Sequence, residues 1–142
     1  MTRASLTRWW PLAAALLALA LAAFWWGLQG RAPGELWCIG RPGTVWNGLA
    51  PLPAGVTPEC PGSQSYREEV RRGESRIEQY RVPGWQPRAL VPVLTAAGYR
   101  QLTDEDINVG NYAAFFDRGG DLLQYVAARE GESTLIGISG QP

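Results

Sequence analysis

The chain has 142 residues, with 13 basic and 13 acidic side chains, and it contains neither His nor Lys. Those two absences exclude Ser-His-Asp and Cys-His nucleophile systems, His-ligated zinc or haem, Schiff-base chemistry and the P-loop lysine. Residues 33–142 carry more carboxylates than Arg side chains, so they lack the basic excess that drives nucleic-acid binding. We therefore expect neither an enzyme nor a nucleic-acid-binding protein.

Residues 9–30 form an uncharged, largely Leu- and Ala-rich run. As a helix, 22 residues would extend roughly 33 Å, which matches the hydrocarbon core of a bilayer. Aromatic side chains favour the headgroup level of a membrane, and they stand at both ends of the run. These belt residues are Trp9, Trp10, Trp25 and Trp26. The run predicts a single-pass transmembrane helix that contacts the lipid bilayer.

The charges that flank this run predict its orientation. Arg3 and Arg8 precede it, whereas Arg31 is nearly offset by Glu35, so residues 1–8 are expected in the cytoplasm and everything after residue 31 outside the cell membrane. A cleaved signal peptide is the alternative, because residues 20–22 read Ala-Leu-Ala. The apolar run continues well past that point, and this favours an uncleaved signal-anchor. All basic residues are Arg, and with abundant Ala, Gly and Pro this indicates a bacterial protein from a GC-rich genome.

Residues 31–62 are rich in Pro and Gly and show neither helical nor alternating periodicity. Cys38 and Cys60 bracket much of this segment. In an oxidising compartment they are expected to form one structural disulfide, and two unpaired buried thiols are the alternative.

Residues 63–142 are predicted to form an extracytoplasmic α+β domain. The charged runs 66–71 and 76–82 favour a hairpin, although Ser65 and Glu68 could instead begin a helix as a capping box. A helix is predicted over 87–97, ended by Gly98. Three strand-like runs follow at 111–116, 122–128 and 133–139. The predicted fold is thus a two-layer domain, with one helix on an antiparallel sheet that ends in a three-stranded meander.

The acidic segment 103–110 is the one cluster with the composition of a metal site. Asp104, Asp106 and Asn108 alternate as at the start of a calcium loop, but Val109 and Phe115 stand where an EF-hand needs Gly and Glu. We therefore expect no cofactor, with Ca²⁺ as the alternative. The favoured interpretation is that Thr103 caps a short helical turn with the carboxylates near its N-terminus.

Two further groups of side chains, carboxylates and aromatic rings, are candidates for a catalytic or binding site. The carboxylates of residues 68–78 interleave with Arg, which is typical of a solvated face rather than a glycosidase pair; they are Glu68, Glu69, Glu74 and Glu78. The domain is rich in aromatic residues, most of which should lie in the core. Trp85, in a Gly- and Pro-flanked loop, is expected to be partly exposed and is the candidate for a partner contact.

These observations predict a single-pass, membrane-anchored cell-envelope protein whose domain is a non-catalytic interaction or assembly module. Its expected partner is another envelope protein. The alternatives are an extracytoplasmic module that binds a glycan or an apolar small molecule, and a secreted domain left after signal-peptide cleavage. A flat apolar surface would favour the protein partner, and a pocket lined by exposed aromatic rings would favour the ligand.

Overall fold

The computed structural model describes residues 10–30 and 36–142, with side chains for 14–25 and 36–142. The expected cytoplasmic segment 1–8 and the belt residue Trp9 lie outside the described residues, as do the side chains of Trp10 and Trp26. The chain divides into two compact units, Met1–Glu35 and Leu36–Pro142.

The described part of the first unit is a helix, α1, at Trp10–Gly30. Its described side chains, including Leu16, Phe24 and Trp25, are all exposed. Within the described part of the chain, no helix combines the length and hydropathy that a membrane crossing requires.

The second unit is a small mixed α+β domain built on one six-stranded antiparallel sheet, in the order β3-β4-β8-β7-β6-β5. Two short strands, β1 and β2, pair separately. The strands are β1 Thr44–Val45, β2 Ala50–Pro51, β3 Thr57–Glu59, β4 Arg76–Pro83, β5 Arg100–Asn108, β6 Asn111–Arg118, β7 Asp121–Glu130 and β8 Ser133–Gly140. The helices are α2 Gln64–Arg71 and α3 Val91–Ala96.

The predicted terminal meander is present, and it has a fourth strand because β5 pairs with β6. Two-residue turns join β6 to β7 and β7 to β8, as the pairs Arg118–Asp121 and Glu130–Ser133 show. Both residues of the first turn, Gly119 and Gly120, have positive φ, which only glycine adopts easily and which suits the twist of a tight hairpin.

Burial alternates along β4, β6, β7 and β8, so one face of the sheet carries the core and the other meets solvent. Loop residues from 45–56 and α3 pack against the buried face. Three of the largest core side chains meet edge to face, since the ring centroids of Tyr112 and Phe116 both lie 5.9 Å from that of Tyr125.

Helix α3 is shorter than the predicted span 87–97. Pro92 lacks the N–H that would bond to the carbonyl of residue 88, so a helix cannot continue upstream through it and instead begins beside it. The predicted end is right. Gly98 has φ +91°, its N–H bonds to Thr95, and that of Tyr99 bonds to Leu94, which together form a Schellman motif.

The predicted hairpin at 66–82 is wrong, because its first half is helix α2 rather than a strand. Gly73, with φ +69°, ends this helix by the same motif: its N–H bonds to Val70 and that of Glu74 to Glu69. The alternative of a helix in this segment is confirmed, but not its capping box: the N-cap is Ser63, which makes no side-chain capping bond, and Ser65 lies inside the helix. The domain therefore has two short helices instead of one.

The predicted disulfide between Cys38 and Cys60 is present. It closes the Pro- and Gly-rich segment on itself, and the Cys38 side chain is buried. The β1–β2 hairpin lies within the closed loop and carries Val45, which is completely buried in the main core.

Removing this disulfide should destabilise the domain by about 3 kcal/mol, because the unfolded chain regains the freedom of the closed loop. Chemical denaturation of the full chain, wild type against Cys38→Ser with Cys60→Ser, measures the difference. Adding a reductant supplies the control: it should lower the wild type to the level of the double variant and leave that variant unchanged. Equal stability of the two oxidised proteins would contradict the prediction.

Candidate functional site

The acidic segment predicted as a turn is an extended strand, so the helix-cap interpretation is wrong. Thr103 lies in β5, and its Oγ1 accepts a hydrogen bond from the Phe115 N–H at 3.0 Å instead of capping a helix. Strand pairing with β6 stabilises this conformation, which local capping propensity alone would not reveal.

The calcium candidates do not converge on one point. Asp104 and Asp106 share one face of β5, but a register shift follows Asp106 and places Asn108 opposite Asn111. Asn108 Oδ1 accepts hydrogen bonds from the Gly110 N–H and from Asn111. Among the described residues, no three His, Cys, Asp or Glu side chains form a group that could hold a metal ion.

Arg88 occupies the space beside the two aspartates. Its Nη2 lies 3.0 Å from Asp104 and 3.4 Å from Asp106, and its guanidinium stacks 4.5 Å from the centroid of the Tyr112 ring. A hydrogen bond from Tyr112 and the Arg88 guanidinium hold the pKa of Asp104 below its usual value. Burial and the bond to Asp104 raise the pKa of Tyr112 to about 12.

Most of the carboxylates at 68–78 follow the predicted solvated pattern. Glu68 pairs with Arg71 at 2.6 Å and Glu74 with Arg72 at 2.9 Å, all with well-exposed side chains. Glu78 is the exception, because it is completely buried. The clue in the sequence was the alternation of Glu78, Tyr80 and Val82, which puts all three on one face of a strand.

Glu78 lies at the centre of a buried hydrogen-bond network. One carboxylate oxygen accepts a hydrogen bond from the Tyr80 hydroxyl, and the other accepts one from the Asn47 backbone N–H at 3.0 Å. Arg76 Nη1 contacts the same oxygen as Asn47, at 3.4 Å. The Tyr80 hydroxyl in turn accepts the backbone N–H of Trp46 at 2.9 Å. Burial and the bond to Glu78 raise the pKa of Tyr80, so this hydroxyl keeps its proton and stays a donor.

The segment held by this network has an uncommon backbone. Trp46 has φ +44°, Asn47 has φ +53° and Gly48 has φ +90°, three consecutive residues in the left-handed region. For non-glycine residues such a conformation costs on the order of 1 kcal/mol or more and requires support from the surroundings. Here the N–H groups of Trp46 and Asn47 converge on Tyr80 and Glu78, so a buried carboxylate fills an anion-binding turn. We call residues 46–48 the Trp46 turn.

An open cleft of about 550 Å³ lies beside the Trp46 turn. It is lined by Trp46, Asn47, Gly48, Leu49, Arg76, Tyr99, Arg118, Gly120, Asp121, Gln141 and Pro142. The Tyr99 hydroxyl donates to Asp121 and accepts from the Trp46 side chain. Arg118 stacks 4.3 Å from the centroid of the Tyr99 ring. Burial and the bond to Asp121 raise the pKa of Tyr99 to about 12.

The polar groups around this cleft are bonded mainly to one another. Trp46 is 7% exposed and Tyr99 is 3% exposed, so neither ring offers a free face to a sugar or an apolar ligand. Glu78 receives three donors and is fully buried, which holds the Trp46 turn in place.

A second feature is an apolar surface at the β5 end of the sheet. Of the seven large hydrophobic side chains exposed in Leu36–Pro142, six belong to β5, β6, β7 or the turn between β5 and β6. We call these six residues the β5–β7 surface: Leu102, Ile107, Val109, Phe115, Leu122 and Val126. Val109, at the tip of the β5–β6 turn, is 87% exposed.

Trp85, the sequence candidate for a partner contact, lies apart from this surface. It is half-buried against the core, and Arg129 stacks 5.0 Å from its ring centroid. The exposed apolar residues of β5 to β7 were not singled out from the sequence, because a strand pattern alone does not show which face another layer will cover.

Comparison of the chain with protein families, curated proteins and solved structures finds no match.

Replacing Tyr80 with Phe should destabilise the domain by about 2 kcal/mol, because the Trp46 N–H and the buried Glu78 carboxylate each lose a partner. The matched control is Tyr66→Phe, which removes the same atom from an exposed ring of α2 and should change little. Denaturant titration measures both free energies of unfolding. Equal effects of the two substitutions would show that the network does not support the Trp46 turn.

Proposed function

We propose that the Leu36–Pro142 domain is a non-catalytic interaction module that contacts another envelope protein through the β5–β7 surface. The observation that carries this proposal is the concentration of exposed apolar side chains on one end of the sheet. Scattered apolar side chains are ordinary on a protein surface, whereas a contiguous group is typical of an interface. Phe115, Leu122 and Val126 share the solvent face of neighbouring strands, where alternate residues lie side by side.

The proposal extends to location: residues 9–30 anchor the protein in the cell membrane, with the N-terminus in the cytoplasm and the domain outside. Its support is the sequence of the whole uncharged run and the Arg residues before it. That run is longer than the stretch 14–25 whose side chains are described in α1. The disulfide is consistent with an oxidising compartment.

A ligand-binding module is the less favoured alternative. The cleft beside the Trp46 turn is large enough for a small molecule. Its two aromatic rings are nearly covered, however, and its charged groups already pair with one another. The exposed apolar side chains of the β5–β7 surface therefore favour a protein partner over a glycan or an apolar ligand.

The anchor can be tested directly in the cells that make the protein. We expect the full-length chain to stay with the membrane pellet after alkaline carbonate extraction, because the apolar run would be inserted in lipid. N-terminal sequencing supplies the second readout. A mature protein that began near residue 23 or residue 31 would contradict the anchor and would indicate a secreted domain.

The interaction surface can be tested by a photo-crosslinking amino acid placed at single positions of the full chain in living cells. Probes at Val109 and Val126 should each give the same discrete adduct, because both side chains lie on the β5–β7 surface. A probe at Gln64 is the matched control, since it lies on the exposed side of α2. No adduct at Val109 or Val126, or an equal one at Gln64, would contradict the proposed function.

A further inference from the structure

Strand β5 is an open edge of the sheet within Leu36–Pro142. It is the terminal strand, and eight of its nine residues are exposed while Gln101 is half-buried. One row of its backbone N–H and C=O groups therefore has no partner strand, which is the feature that allows another chain to add a strand.

The opposite edge of the sheet is closed to such pairing. Strand β3 has only three residues, and its central Pro58 has no N–H to donate. Glu59 is held by Arg81, which also contacts Glu130 across the sheet. Short length, Pro and charge are the devices by which natural sheets protect an edge. An added strand would therefore join at β5.

The regular part of β5 is short and acidic. Two register shifts bound the stretch Thr103–Asp106, which lies in register with residues 112–115 of β6. It contains Asp104, Glu105 and Asp106 in succession. Glu105 has no ion pair among the described residues, and the Asp106 side chain is 66% exposed with Arg88 at 3.4 Å. Asp104 pairs with the same Arg88 at 3.0 Å, so the face of Asp104 and Asp106 keeps one negative charge, and Glu105 supplies one on the other face.

This negative charge indicates which kind of partner could pair with β5. A second copy paired in antiparallel orientation would bring the acidic stretches against each other, and like charges directly opposite are destabilising. An anionic lipid surface would be repelled for the same reason. A strand with Lys or Arg at alternate positions would face opposite charges across the pair.

Apolar contacts flank the acidic stretch on both sides. Leu102 and Ile107 lie at the two register shifts, and they are 46% and 62% exposed. Phe115, opposite Thr103 on β6, is 38% exposed. These side chains offer contacts for the apolar residues of an incoming strand, so the edge fits a segment in which basic and apolar residues alternate.

We propose that β5 accepts one extended strand from a basic protein segment, with backbone pairing along Thr103–Asp106 and basic side chains beside Asp104 and Asp106, which share one face of β5. This inference rests on the proposed function and specifies the chemistry of its partner. The β5–β7 surface then continues from the added strand across the exposed face of the sheet.

The test uses the isotope-labelled full-length chain in detergent micelles and a synthetic heptapeptide of alternating Lys and Val. We expect the peptide to shift the amide resonances of β5 and to slow hydrogen exchange of its outward N–H groups, because these gain acceptors. Asp106→Lys should weaken binding by about fivefold, since one attraction becomes a repulsion. Glu132→Lys, an equal charge change in the exposed β7–β8 turn, should leave the affinity unchanged.

Two control peptides separate strand pairing from simple charge attraction. The same sequence with Glu in place of Lys should not bind. The Lys and Val peptide methylated at alternate backbone nitrogens should lose the exchange protection, because it cannot pair along that edge. Binding equal to that of the parent peptide by either control, or no binding by the parent peptide, would overturn the inference. If the peptide does not bind β5 but the probe at Val126 gives a specific crosslink, the proposed function still holds. If neither result is obtained, the proposed function is contradicted as well.

Discussion

The hydrogen bond between Tyr80 and the buried Glu78 is the interaction on which the rest of the domain depends. Both side chains lie on β4, and they bind the backbone N–H groups of Trp46 and Asn47. Those two residues have a left-handed backbone conformation, which costs free energy and needs this support. The Trp46 turn then covers the core and reaches Tyr99 at the start of β5. A buried carboxylate is unfavourable alone, but with three donors it specifies one position for this loop.

The sequence was sufficient to predict the features that local chemistry determines. Alternating apolar residues and Gly-containing turns predicted the meander, Gly98 predicted the end of a helix, and two cysteines in a segment expected to be exported predicted the disulfide. The errors have a common physical cause. Gly73 serves a hairpin or a helix end equally well, and the acidic run at 103–106 has the composition of a turn until pairing with β6 makes it a strand. Glu78 was missed because it was grouped with Glu68 and Glu74, which do form exposed ion pairs with Arg.

The two ends of the sheet differ in how many of their polar groups have partners and in how many of their apolar side chains are buried. Around the Trp46 turn, every prominent side chain has a partner within the domain, as Tyr99 has in Asp121 and Arg118. Toward β5 the opposite holds, since apolar side chains meet solvent and one row of backbone groups is open. Selection for stability alone would not favour such a contrast, which is the reason for proposing an interface at the β5 end.

The pairing of β4 with β8 bears on the order in which the domain assembles. Strands β6, β7 and β8 are joined by two-residue turns and can pair as soon as they are made, whereas β4 meets β8 with Arg76 opposite Gly140, near the end of the chain. Closing that long loop is entropically costly, so it should follow the local hairpins. Glu78 and Tyr80 are residues of β4, so we expect them to fix the Trp46 turn only after β4 has paired with the meander. We therefore expect the strained Trp46 turn to be fixed late in folding.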